Sequence, residues 1–168
     1  RAFLRLASFF GLYEELKSEM VSRVAKPQAI ELEIDGKIYR SIRHLGSGLS
    51  ADAFLIDKDG KQVVAKVARD TEKSRMALLR SIPIHLWAQQ KLNMNVPELV
   101  GYEAEGRWLM TSYVPGQTLS AHIASHGAIE AGTRVSVLDL HAKVKEMLEQ
   151  SAVKLDFAPD NIIVRDGK

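Results

Sequence analysis

The sequence of 168 residues contains no cysteine, which excludes disulfide bonds, thiolate metal ligands and a cysteine nucleophile. Long apolar runs are also lacking. The densest apolar cluster, Phe9 to Tyr13, is far shorter than the ~20 residues that cross a bilayer as a helix, so no membrane span is expected. Nor is there an excess of one charge, because 23 Lys and Arg oppose 21 Asp and Glu. Nucleic acid is therefore not an expected partner.

The composition is that of a folded protein, with 46% hydrophobic and 26% charged residues. Apolar side chains recur at helical spacing between Ala2 and Val24, opposite a charged side. This pattern predicts an amphipathic helix that ends before Pro27, since proline disfavours helix in the residue before it. The main interpretation is a helix docked on the rest of the chain, while docking to a partner or to a membrane surface stays open.

Two antiparallel hairpins are predicted after Pro27. In the first, apolar and acidic residues alternate up to the tight-turn signal Asp35-Gly36, and in the second the turn is Asp57 to Gly60. Further along, the pattern predicts helices over Lys73–Arg80 and Ile84–Leu92 divided at Pro83, strands over Leu99–Tyr102 and Arg107–Tyr113, helices over Leu119–Ser125 and Thr133–Gln150, and a loop followed by a short strand that ends at Val164.

A glycine-containing segment, Leu45 to Ala51, lies between two predicted strands. Glycines at Gly46 and Gly48 let the backbone approach an anion and turn its N–H groups toward phosphate. The segment is not a dinucleotide fingerprint, because a strand rather than a helix follows it, and no Gly-Lys-Ser/Thr closes it as a Walker A loop. A purely structural turn is the alternative.

Two further features involve charged or amide side chains. Lys66 is a cation inside an apolar strand, and strand alternation places it on one face with Val64 and Ala68. Either its ammonium group reaches solvent at an edge or it has an anionic partner in a cleft. Asp156 and Asn161 lie in one proline-bearing loop, where a proton acceptor and an oxygen ligand for Mg²⁺ can converge. An ordinary Asp/Asn loop is the alternative there.

The order and spacing of the glycine segment, Lys66, an intervening helix and the Asp156 to Asn161 loop resemble the protein-kinase-like superfamily. The short linkers are similar to its compact, atypical and microbial branches, such as the RIO, aminoglycoside-phosphotransferase and bacterial-effector kinases. The resemblance implies an α+β, two-lobed fold with an antiparallel N-lobe and a mainly helical C-lobe. The expected organisation is a helix at 1–26, an N-lobe at 28–112 and the start of a C-lobe at 113–168.

The resemblance also implies a site for ATP and Mg²⁺. Lys66 would bind the α- and β-phosphates, Asp156 would accept the proton of the attacking hydroxyl, and Asn161 would bind Mg²⁺. The phosphates would lie under a roof formed by Gly46, Ser47, Gly48 and Ala51. The adenine pocket would be formed by Leu45, Ala53, Thr111 at its back, the backbone of Ser112 and Val114, and Ile163 as its floor. Ala65 is also expected to contact the cofactor.

The function implied is transfer of the γ-phosphate of ATP to a hydroxyl, with a protein Ser or Thr as the first choice of acceptor and a small molecule, such as an aminoglycoside or a sugar, as the second. The expected location is the cytoplasm, or a host cytosol if the protein is a delivered effector. A pseudokinase, which binds nucleotide or acts as a scaffold without transfer, is the rival. The oligomeric state is not predicted.

Three departures from the family pattern stand out. No glutamate occurs between Ser74 and Leu92, although the family places one on this helix to hold the lysine, at a position expected near His85. Lys154-Leu155 stands where His-Arg or His-Gly usually precedes the catalytic aspartate. The metal-binding aspartate of the Asp-Phe-Gly type is expected roughly ten to fifteen residues beyond Asn161, after Lys168, so the sequence is expected to be a portion of a longer protein.

Overall fold

The computed structural model describes residues 29–92, 96–149 and 161–165. The predicted amphipathic helix at 2–24 and the loop that contains Asp156 lie outside the described residues. The chain divides into two compact units between Tyr113 and Val114, and each unit is described by itself below.

The first unit contains a six-stranded antiparallel sheet and, within its described residues, one helix. The strands are β1 (Glu31–Ile34), β2 (Lys37–Ser47), β3 (Ala51–Lys58), β4 (Lys61–Ala68), β5 (Leu99–Tyr102) and β6 (Trp108–Ser112), and helix α1 (Glu72–Leu92) lies between β4 and β5 in the chain. The order across the sheet is β1-β2-β3-β4-β6-β5, so β6 pairs with β4 and β5 forms an edge. The predicted α+β class with an antiparallel sheet is confirmed.

Both predicted hairpins are present, and their turns have the same backbone geometry. Asp35 and Gly36 have φ values of 52° and 74°, while Asp59 and Gly60 have 54° and 80°. Two successive residues with positive φ give the turn whose twist matches that of paired strands, which explains the Asp-Gly sequence at both places. In the second turn, the Gly60 N–H also donates to Asp57 Oδ1 at 2.7 Å.

The two faces of the sheet are covered by different elements. On one face, the β1–β2 hairpin contributes Ile34, with Leu32 and Tyr39 packed beside it, to a core cluster that contains Ile56, Val63, Ala65 and Met110. On the other face, Leu78 and Ile82 of α1 pack against Leu109 of β6. The alternation of side chains along β4 and β6 therefore assigns each residue to one of these two faces.

Helix α1 is a correction to the two helices predicted on either side of Pro83, because it runs without a break from Glu72 to Leu92. The Thr71 hydroxyl accepts a hydrogen bond from the Ser74 N–H at 3.1 Å and caps the first turn. A proline inside a helix costs about 3 kcal/mol, and Pro83 lies on the exposed side. Leu78 and Ile82 before it and Ala88 after it are buried, and burial of these side chains offsets that cost.

The second unit contains β7 (Gln117–Thr118), helix α2 (Leu119–His126), helix α3 (Ala131–Glu149) and β8 (Ile163–Val164), which pairs with β7. The Thr118 hydroxyl caps α2 by accepting from the Ala121 N–H at 3.2 Å. Gly127 ends this helix in the left-handed conformation, as the glycine signal predicts. None of the described helices is both long enough and apolar enough to cross a membrane.

Gly106, in the turn between β5 and β6, is expected to be more sensitive to substitution than Gly60, although both have positive φ. A Cβ at Gly106 would lie 2.7 Å from both the Arg75 carbonyl oxygen and Leu79 Cγ of α1, whereas one at Gly60 would meet nothing within 4 Å. Gly60→Ala should therefore lower the free energy of unfolding by about 1 kcal/mol through backbone strain. Gly106→Ala should lower it by about 3 kcal/mol because overpacking is added. Urea unfolding of both variants checks this, and equal losses would contradict the packing of the turn on α1.

Candidate functional site

A row of paired residues across the sheet brings several predicted site residues together. Gly46 pairs with Ala53, Ala53 pairs with Lys66, and Lys66 pairs with Leu109. Directly paired residues project to the same face of a sheet. Lys66 is exposed, its neighbours Ala53 and Gly46 are small, and a Cβ built on Gly46 would meet nothing within 4 Å. The row therefore leaves room for a ligand beside the lysine.

Val64 and Thr111 share the face of Lys66. Val64 lies two residues from Lys66 along β4 and pairs with Thr111, which is only 6% exposed. Ala65, which is also expected to contact the cofactor, is fully buried in the core cluster on the opposite face and does not join this group. The residue that the prediction missed is Val64, although strand alternation already placed it beside Lys66.

The tip of the β2–β3 hairpin consists of residues 48–50, between Ser47 at the end of β2 and Ala51 at the start of β3. The Gly48 N–H closes the tip by donating to the Ala51 carbonyl at 2.8 Å. Within the described chain, the N–H groups of Leu49 and Ser50 make no hydrogen bond. Successive unpaired N–H groups in a tight turn form an anion-binding surface. These two donors, rather than that of Gly48, are available to an anion.

The other predicted residues of this hairpin have different surroundings. Leu45 lies at an irregularity in the β2–β3 pairing and is 38% exposed. The Ser47 hydroxyl forms a hydrogen bond with His44 Nε2 at 3.2 Å. Ala51 packs at the edge of the core under α1. All three thus lie on the same hairpin as Gly46 and Gly48, as the sequence predicts.

His85 of helix α1 lies close enough to Lys66 for the lysine charge to affect it. The Nε2–H of His85 donates to the Pro97 carbonyl at 2.8 Å. Burial lowers the pKa of His85 below its ordinary value, the hydrogen bond to Pro97 opposes that effect, and the positive charge of Lys66 lowers the pKa further. A neutral imidazole, rather than a glutamate, therefore lies at this point of α1.

The backbone N–H groups at the end of β6 are bonded within the first unit. Its N–H donates to the Glu98 carbonyl at 2.8 Å, and its hydroxyl accepts from the Glu98 N–H at 2.8 Å. The next N–H, that of Tyr113, donates to the Gln62 carbonyl at 3.3 Å. Of the groups of Ser112 that are predicted to contact adenine, the N–H is therefore already bonded within the first unit.

The predicted residues of the second unit are described only in part. Val114 is half-buried at the start of this unit, and Asn161 is exposed just before β8. Ile163 pairs with Thr118 and is 38% exposed. Asp156 lies outside the described residues, so its position relative to Asn161 stays a prediction.

A groove of about 510 Å³ lies on the first unit and begins just beyond Lys66, at Val67 to Asp70. Its lining contains carboxylates such as Glu33, Asp35 and Asp70 together with Arg69, Arg75 and Arg107, and it contains none of the predicted site residues. An anionic ligand would be opposed by these carboxylates, so the face that carries Lys66 is the better candidate for binding phosphate.

No protein-family model matches the chain, and no curated protein matches it. In residues 29–92, 96–149 and 161–165, no three His, Cys, Asp or Glu side chains come together as a metal-binding group.

The lowered pKa of His85 predicts a pH-dependent stability. Below the ordinary histidine value of about 6.5, the unfolded chain binds a proton that the folded protein resists, so the free energy of unfolding falls as the pH drops. His85→Gln keeps a donor for the Pro97 carbonyl but cannot titrate. We expect the wild type to lose stability relative to this variant between about pH 7 and pH 5, measured by urea unfolding. A difference that does not vary with pH would contradict the burial of a neutral His85.

Proposed function

We propose that this chain binds ATP as part of a protein-kinase-like phosphotransferase and that the protein transfers the γ-phosphate to a hydroxyl, with a protein Ser or Thr as acceptor. The observation that carries the proposal is the paired row Gly46, Ala53, Lys66. This row joins a lysine to a hairpin whose tip has unpaired N–H groups. A cation and backbone donors on neighbouring strands are the groups that phosphates require.

The proposed adenine pocket uses the same face of the sheet. Val64, Ala53 and Thr111 provide apolar and small side chains next to Lys66, while the Ser112 carbonyl can accept from the amino group of adenine. The phosphates then extend toward the tip of the β2–β3 hairpin. The fit is chemical as well as spatial, because one end of the proposed site is uncharged and the other contains donors and a cation.

In the proposed reaction, the acceptor oxygen attacks the γ-phosphorus, the bond to the β,γ-bridging oxygen breaks, and the acceptor proton passes to Asp156. ADP leaves with the bridging oxygen. Positioning and neutralisation of charge supply most of the catalysis in such transfers. Asn161 has a side-chain oxygen that would bind Mg²⁺, and the bound ion would neutralise phosphate charge. Lys66 and the hairpin donors would hold the α- and β-phosphates while the γ-phosphoryl group moves.

The acceptor and the location follow from the proposed chemistry rather than from any one contact. A protein hydroxyl is the first candidate acceptor, and a small-molecule hydroxyl, such as that of an aminoglycoside or a sugar, is the second. Because ATP is the donor, the proposed compartment is the cytoplasm, or a host cytosol if the protein is delivered there.

A pseudokinase is the second candidate function, and one specific observation favours it. The described part of α1 carries His85 near Lys66 and has its one glutamate, Glu72, in the first turn. An imidazole without charge cannot attract an ammonium group as a carboxylate does. Lys66, together with Asp156 and Asn161 in the sequence, favours an active enzyme instead. Binding and transfer must therefore be measured separately.

Lys66→Met is expected to weaken binding of Mg²⁺-ATP by about 10- to 100-fold, because a charge-assisted contact with phosphate is lost. Lys61→Met is the matched control, since Lys61 is also exposed but pairs with Lys58 at the far end of β4. Isothermal titration calorimetry measures both, with a thermal-shift titration as a second readout. Equal affinities for the Lys66→Met variant and the wild type would contradict the assignment of Lys66.

Asp156→Ala is expected to lower the rate of phosphoryl transfer by about a hundredfold or more while ATP still binds, because the proton acceptor is removed. Transfer from γ-labelled ATP is measured to the protein itself, to a serine- and threonine-containing peptide mixture and to an aminoglycoside. Asp139→Ala, a change on the exposed side of α3, serves as the control. Binding of ATP with no transfer above the Asp156→Ala level to any acceptor would favour the pseudokinase.

A further inference from the structure

Arg69 makes two separate hydrogen bonds to the tip of the β2–β3 hairpin. It directly follows β4, three positions beyond Lys66. Its main-chain N–H donates to the Ser50 carbonyl at 3.0 Å, and its Nη2 donates to the Gly48 carbonyl at 2.8 Å. The two residues that flank Leu49 are thus held by one residue of the neighbouring strand.

The guanidinium group is partly buried beneath this tip. The Arg69 side chain is 21% exposed, and its Nη2 lies 3.5 Å from Asp52 Oδ1, whose side chain is 16% exposed. The Arg69 Nε is buried and, among the described residues, has no hydrogen-bond partner. A buried donor without a partner lowers stability. Stability alone is therefore a poor explanation for an arginine at this position.

The contacts of Arg69 determine which donors at the tip remain available. Gly48 is bonded on both sides, its N–H to the Ala51 carbonyl and its carbonyl to Arg69. A side chain at this position would crowd the turn, because a Cβ there would lie 3.3 Å from the Ala51 oxygen. With Gly48 and the Ser50 carbonyl held in this way, the two unpaired N–H groups of Leu49 and Ser50 are fixed relative to β4 and hence to Lys66.

We propose that Arg69 is a positioning residue that holds the Leu49 and Ser50 N–H groups where they bind the phosphates of ATP. The inference rests on the proposed function, since it names how part of the same site is organised. It assigns no contact between Arg69 and the nucleotide. Donors that are already fixed before binding cost less entropy to use, so loss of Arg69 should weaken binding of the phosphates and spare the adenosine part.

The test compares ATP with adenosine, because a general loss of structure would weaken both. We expect Arg69→Met to bind Mg²⁺-ATP about tenfold more weakly than the wild type and to bind adenosine with unchanged affinity, both by isothermal titration calorimetry. Arg40→Met is the matched control, since Arg40 also forms an ion pair, with Glu31, but lies away from the hairpin tip. This control should bind both ligands like the wild type.

Hydrogen exchange with the wild type and with Arg69→Lys keeps the inference testable if Arg69→Met does not fold. ATP should slow exchange of the Leu49 and Ser50 amides in the wild type. Arg69→Lys, which retains one donor group, should bind ATP more weakly than the wild type and bind adenosine with unchanged affinity. Two results would overturn the inference and leave the proposed function standing. One is that the wild type binds ATP without protection of these amides. The other is that an Arg69 variant keeps the wild-type ratio of ATP to adenosine affinity. Failure of the wild type to bind ATP would overturn both.

Discussion

The pairing register of β4 with β3 and β6 is the constraint on which both the fold and the candidate site depend. Val63 and Ala65 project into the core under the β1–β2 hairpin, so Lys66 must project to the other face. A slip by one residue would exchange the two faces, bury the ammonium group of Lys66 and expose the apolar set. Taking a charged group out of water costs several kcal/mol. The core that stabilises the sheet therefore also fixes the place of the lysine, next to Ala53 and the glycine-containing hairpin.

Helix α1 shares the face of Lys66 and limits the room there. Leu78 and Ile82 cover Leu109, and the turn at Gly106 lies against Arg75 and Leu79. His85, further along the helix, is held by the Pro97 carbonyl and is influenced by the charge of Lys66. Helix packing and the electrostatics beside the lysine are thus linked through one element, and a change in the position of α1 would alter both.

Much of the described secondary structure could be predicted from local sequence signals. The Asp-Gly turns, strand alternation and the glycine that ends α2 depend on residues close together in the chain, and each prediction is confirmed. The continuity of α1 through Pro83 was predicted wrongly, because it depends on contacts with a sheet that is distant in sequence. Ala65, which is expected to contact the cofactor, is fully buried in the core on the face opposite Lys66, as strand alternation requires. Arg69 carries no motif, and its contacts with Gly48 and Ser50 follow only from the pairing of β3 with β4. The role of Asp156 stays a prediction.

The central claim is that a nucleotide binds on the face of Lys66 with its phosphates at the β2–β3 hairpin. Amide chemical-shift mapping of the labelled protein during titration with Mg²⁺-ATP and then with AMP tests it most directly. The account predicts large changes at Gly46 to Ala51, Lys66 and Ser112 with ATP, and much smaller changes at the hairpin tip with AMP, which lacks the β- and γ-phosphates. Changes confined to the charged groove near Arg75 and Arg107, or no response to ATP, would contradict it.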